Sequence, residues 1–174
     1  GVSVILIERF GCFGGNITSV GVEGFAWYRH ENTIEAGGLA FEYEQRAIES
    51  NAAVPESQSK SYELDSEGFK VVADNLVLKA GVRPMLHRAF CAPILDGDEI
   101  KGVITESKAG REAIIGKVII DATCDADVAR RSGVKVFKNK KEDMISASVM
   151  FHMSGVNKEE FMNEIARDPQ KYSD

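Results

Sequence analysis

Cysteine is scarce: the 174 residues hold three, Cys12, Cys91 and Cys124. They lie far apart, are odd in number and form no Cys-x-x-Cys pair, which argues against a disulfide framework and a thiolate zinc site. Positive charge is thin as well, with 21 Lys and Arg against 27 Asp and Glu and a net charge of -6. The one basic run, Lys138, Lys140 and Lys141, meets Glu142 and Asp143 at once, so it reads as a solvated loop and nucleic acid is not an expected partner. No apolar stretch approaches the roughly 20 residues of a membrane-spanning helix, so no membrane partner is expected. The N-terminus has neither a basic leader nor a small-residue cleavage site. The expected location is the cytoplasm.

What is present is an ordinary globular composition, 44% hydrophobic and 28% charged, without internal repeats. The chain opens inside an apolar run, Val2-Ser3-Val4-Ile5-Leu6-Ile7, which reads as a parallel strand covered on both faces. A glycine-rich turn follows. Ala40, Tyr43 and Ala47, with Phe41 and Ile48, fit a helix up to Ser50, and residues 51–65 read as a polar loop. Ser66 caps a second helix, 66–80, whose apolar positions Phe69, Val72, Ala73, Leu76, Val77 and Ala80 follow helical spacing. Val82 to Leu95, Ile100 to Glu106 and Ala113 to Ile115 form an antiparallel meander with turns at Asp96-Gly97-Asp98 and Lys108-Ala109-Gly110. Residues 118–123 read as a second buried strand, expected parallel to 2–7 in one sheet with helix 66–80 packed on it. Residues 145–153 alternate as a half-buried strand, and Asn157 caps a last helix with Glu160 three positions on.

Two constellations carry chemistry. Glu8 ends the opening strand, where an acidic residue of a dinucleotide-binding unit accepts hydrogen bonds from ribose hydroxyls. Alone, a strand-end Glu is more often a plain surface charge. The turn Gly11-Cys12-Phe13-Gly14-Gly15-Asn16-Ile17-Thr18 gives positive φ and bare backbone N–H groups to an anion, aided by any helix starting near Asn16. An ordinary glycine turn has the same composition.

Together these residues resemble a known family. Glu8-Arg9, Gly14-Gly15-Asn16, Thr18 and Gly21 are similar to the E-[KR]-x(4)-G-G-x-x-[ST]-x-x-G segment after the second strand of FAD-dependent oxidoreductases, with succinate dehydrogenase and fumarate reductase flavoproteins as distant members. Gly102-Val103-Ile104, Gly110-Arg111 and then Asp121-Ala122-Thr123-Cys124-Asp125-Ala126-Asp127-Val128-Ala129 resemble the family's second signature, a strand ending in D-A-T-G-D-x-D-x-A. The resemblance covers roughly residues 1–153. It implies an α/β fold: a partial Rossmann-like FAD-binding domain over 1–139, with a parallel sheet and the meander, and the start of a second, α+β substrate domain over 140–174. It also implies that Glu8, with Arg9 beside it, holds the adenosine ribose. Gly14, Gly15, Asn16 and Thr18 would lie along the pyrophosphate and flavin, and Phe90 at the adenine edge. Asp121, Ala122, Thr123, Cys124 and Asp125 would line the cofactor near its ribose and pyrophosphate. Residues 24–65 would lie near the flavin and a small-molecule substrate, with Trp27, Tyr28, Arg29 and His30 as contacts or merely as a packed loop.

Two departures from the family pattern matter. The G-x-G-x-x-G loop, due about 20 residues before Val2, is not in the chain, so this chain by itself is expected to hold FAD weakly or not at all and to be inactive. Cys124 stands where the family has glycine, a tolerable change only at negative φ. The expected function is hydride transfer between a small molecule and FAD, and the alternative is a non-catalytic nucleotide-binding or assembly domain that has lost flavin. Cys12 and Cys124 each follow a sheet strand and would face one another across the cofactor in a redox reading, with idle thiols as the plainer one. Apolar strand edges predict a homo-oligomer.

Overall fold

The computed structural model describes residues 1–25, 29–30, 33–34, 37–56 and 61–171. Trp27 and Tyr28 lie outside them, and of Arg29 and His30 only the backbone is described. In chain order the elements are β1 (Ile5–Ile7), a π-helical turn (Asn16–Val20), β2 (Arg29–His30), β3 (Thr33–Ile34), α1 (Leu39–Glu49), β4 (Ala53–Pro55) and β5 (Tyr62–Leu64). Then come α2 (Ser66–Lys79), β6 (Arg83–Met85), β7 (Ala89–Asp96), β8 (Glu99–Ser107), β9 (Gly110–Ile115), α3 (Asp127–Arg131) and α4 (Lys158–Arg167).

The packing is organised around α2. Its cap is Asp65, one residue before the expected Ser66, and the Asp65 carboxylate accepts the Glu67 N–H at 3.0 Å. Gly81, at φ +70°, ends the helix in the left-handed conformation that lets the last carbonyls find donors. One side of α2, with Phe69 and Val72, packs on Ala47 of α1, Ala52 and Leu64, and the Phe69 ring meets Phe25 edge-on at 5.8 Å. The other side, with Ala73 and Val77, packs on Phe13 and Leu6. Burying each large apolar side chain is worth about 1.5–3 kcal/mol. The glycine turn is therefore tethered to the core through Phe13 while its flanking residues stay at the surface.

The parallel sheet is a two-stranded pair, with Ile5, Leu6 and Ile7 of β1 opposite Arg83, Pro84 and Met85 of β6. Backbone bonds carry the pairing past the strands: Glu8 N–H to Met85 O at 3.0 Å, Arg88 N–H to Glu8 O at 2.9 Å and His87 N–H to Phe10 O at 3.0 Å. The meander forms as expected, β8 pairing antiparallel with β7 and β9. Gly102 of β8 has Ile114 O so close that no Cβ fits between the strands.

Three sequence expectations are corrected. Residues 118–123 are not a strand, and β1 takes β6 as its parallel partner instead. Val118 and Ile120 are about four-fifths exposed, since no described strand offers them a ladder and no described helix covers them. Residues 145–153 likewise form no strand, with Ile145, Val149 and Phe151 exposed, for the same reason. Within 51–65, β4 and β5 form a hairpin, Ala53 opposite Leu64, rather than a loop. Their polar faces hid a pair of short strands whose buried ends sit on α2. The last helix starts as expected, Asn157 Oδ1 accepting the Glu160 N–H at 3.2 Å. Among the described residues no helix is long and apolar enough to cross a membrane.

Candidate functional site

Glu8 stands at the C-terminal end of β1, on the edge of the parallel pair where open α/β sheets bind ligands. Glu8 is half-buried, and its Oε1 accepts the Phe10 N–H at 2.8 Å. That bond turns the chain away from the strand and fixes the carboxylate at its end. The Arg9 guanidinium lies 4.6 Å from the centre of the Phe10 ring.

The glycine turn is built by three local constraints. At Gly11 a Cβ would sit 2.6 Å from the His87 imidazole, so the ring closes directly on bare backbone. Phe13 is buried against α2. Gly14 has φ +110°, and a Cβ there would meet Thr18 Cγ2 at 2.4 Å, because Thr18 folds back to donate its hydroxyl to Phe13 O at 2.7 Å. Gly15, at φ +57°, differs: a Cβ there would project into open space. Asn16 opens the π-helical turn, whose first N–H groups have no acceptor within the helix. Cys12 lies in this turn with Sγ 3.8 Å from Ser19 Oγ, and Cys12, Cys91 and Cys124 are all free thiols.

The second group is a turn locked by Asp121. Its Oδ1 accepts the Thr123 N–H at 3.1 Å and the Thr123 hydroxyl at 2.7 Å, and its Oδ2 accepts the Ala129 N–H at 2.9 Å. Thr123 Oγ1 in turn accepts the Asp127 N–H at 3.0 Å, so turn and helix α3 form one unit. Partial burial works against the Asp121 carboxylate, but the Ala129 amide and the Thr123 hydroxyl and amide together hold its pKa below the ordinary value. Cys124 adopts φ +67° and Ala126 φ +56°, so the tolerance condition for a side chain at Cys124 is not met. Ala122, Cys124 and Asp125 are exposed.

Residues 87–91 link the two groups. His87 covers Gly11, Arg88 N–H holds Glu8 O, and Phe90 and Cys91 lie beneath α3 through Arg131. The Arg88 guanidinium pairs with Glu112 of β9, which fixes the start of β7 to the meander. Neither His87 nor Arg131 was found from sequence. His87 sits at φ +54° in an expected strand, and a lone Arg on a short helix gives no signal. A cleft of about 410 Å³ at the β4–β5 hairpin includes none of these residues, and Glu23, Glu63 and Asp65 on its wall disfavour a phosphate.

A strand-end carboxylate and a positive-φ glycine turn at the end of parallel strands define a nucleotide-binding class of α/β protein. All of residues 1–174 match the family model of FAD dependent oxidoreductases, and the chain belongs to that family. Among solved structures it is similar to THI4 of Thermovibrio ammonificans, with 17% sequence identity and a TM-score of 0.51 over 78% of this chain and 55% of that one. That likeness concerns the fold, and this chain spans about half the length of the matched structure. No curated protein matches the chain. FAD is the family's cofactor, and the first group fits it, since the open space over Gly15 suits an anion and the half-buried Glu8 carboxylate at the strand end suits a ribose.

Proposed function

We propose that this chain forms part of the cofactor-holding half of an oxidoreductase that moves a hydride between a small-molecule substrate and FAD. The observation that carries the reading is the placement of Glu8 and the Gly11–Thr18 turn side by side at the carboxyl end of the β1–β6 pair. Glu8 would accept hydrogen bonds from two ribose hydroxyls, with Arg9 beside it. Gly14, Gly15, Asn16 and Thr18 would follow the pyrophosphate, whose charge suits N–H groups that no Cβ shields. Ala122, Thr123, Cys124 and Asp125 would approach the same cofactor by backbone and short side chains, with Phe90 near the adenine. Asp121 holds that turn in shape, because its carboxylate is already engaged by three donors. When bound, FAD supplies the hydride chemistry, and the protein supplies orientation and electrostatics.

A flavin titration compares the natural chain with Glu8→Ala. The variant loses charge-assisted bonds worth about 1.5–3 kcal/mol, so its FAD dissociation constant is expected to rise at least tenfold with unchanged thermal stability. Equal affinity would remove Glu8 from the site. The second reading, a nucleotide-binding or assembly domain without flavin, draws on Cys124, whose left-handed backbone carries a side chain where the family has glycine. A protein purified without flavin absorption bands and unable to take up FAD would favour it.

A further inference from the structure

We propose that Arg131 is the positioning residue that fastens the Asp121–Ala126 turn to the meander, and so sets where that turn meets the cofactor; this rests on the function proposed above. The turn and α3 are one hydrogen-bonded unit, but α3 has five residues and has no stability of its own. Its attachments are few. Val128 is buried, and Arg131 reaches across to β7.

The place that Arg131 grips is a defect in the strand. Phe90 pairs with Thr105 and Ala92 with Ile104, so Cys91 is an extra residue in β7. A bulge leaves the extra residue outside the ladder, with a backbone group in need of a partner. Arg131 Nη1 donates to the Cys91 carbonyl, and its guanidinium carbon lies 5.6 Å from the centre of the Phe90 ring. One planar group thus satisfies the freed carbonyl and faces the neighbouring aromatic ring, a pairing that a lysine ammonium does not reproduce. Phe90 is in turn two residues beyond Arg88, whose N–H holds Glu8 O. Arg131 is therefore the link through which the second group is referred to the first.

The test uses the protein as it occurs naturally, with Arg131→Met and Arg131→Lys, read by FAD titration, visible circular dichroism of the bound flavin and amide hydrogen exchange. In Arg131→Met the dissociation constant is expected to rise about tenfold, the flavin dichroism to change, and faster exchange to stay within residues 121–131. Arg131→Lys keeps the charge without the planar fork and is expected to recover only part of the affinity. Faster exchange with unchanged affinity and dichroism overturns the inference, because the role is then structural alone. Unchanged values throughout overturn it as well. A natural protein that takes up no FAD is a different failure: it removes the proposed function, and this inference falls with it.

Discussion

Two glycines one bond apart are held to glycine for different reasons. Gly14→Ala meets Thr18 and keeps φ +110°, so steric and backbone costs add. Gly15→Ala meets nothing and carries only the backbone cost of φ +57°, about 1–2 kcal/mol. Urea unfolding should rank Gly14→Ala as clearly the more destabilised of the two, and equal midpoints would deny the Thr18 contact. At Cys124 the same physics runs the other way. The side chain is strained at φ +67° and its thiol is exposed, so Cys124→Gly should stabilise the chain. Relief of the left-handed strain, reduced by the greater freedom of unfolded glycine, leaves about 0.5–1 kcal/mol. A rise in the urea midpoint with an unchanged slope is the expected record. Buried Glu44 on α1 is a further residue set by its surroundings, since burial pushes its carboxyl pKa up.

At the scale of elements, the start of α3 and the turn before it depend on the ionised Asp121 side chain. The folded pKa of Asp121 is depressed, so the stability it gives is complete above the unfolded aspartate value of 3.8 and is lost as pH falls through the lower folded value. Protection of the Ala129 amide against exchange, relative to its unstructured rate at the same pH, should therefore fall in acid below that range, and Asp121→Asn should show low protection already at neutral pH. A flat pH response at Ala129 would exclude this role. Legibility from sequence divides along similar lines. Helix α2 was readable because its apolar spacing and glycine stop agree, although its cap is Asp65 rather than Ser66, and the meander because its turns carry glycine between β-rich runs. The glycine turn was readable from composition together with Glu8. Residues 118–123 and 145–153 were misread because a strand is a relation: apolar pattern marks a segment that wants two neighbours, and only pairing makes it a strand. Asp121 reads from sequence as part of the expected strand 118–123, and only geometry reveals a turn in which its carboxylate holds Thr123 and Ala129.

For the whole molecule, the surface carries an unusual load of apolar side chains. Val2 and Val4 beside β1, then Val118, Ile120, Phe137, Ile145, Val149 and Phe151, are exposed. Among the described residues β1 pairs along one edge only. An open strand edge flanked by exposed apolar side chains favours association, so the chain is expected to self-associate through that edge. Sedimentation at rising concentration should show a dimer or larger species, and Ile5→Lys should shift it toward monomer. A monomer at all concentrations would refute the edge pairing.

The parallel pairing of β1 with β6 also has a consequence in time. These strands are separated by about 75 residues of chain, which include α1 and α2, and closing so long a loop is slow because its entropic cost precedes any reward. Helices α1 and α2 and the meander hairpins are built from local contacts that need no such closure. Glu8 and the glycine turn take their positions only when β1 docks, so they belong to the last stage of folding. Pulse-labelled amide exchange during refolding should protect α2 and β8 before Glu8 and His87, whose N–H groups bridge the two strands. A cofactor that engages this turn would then reach the chain after most of its core has set, and would act on the final docking step rather than on the search that precedes it.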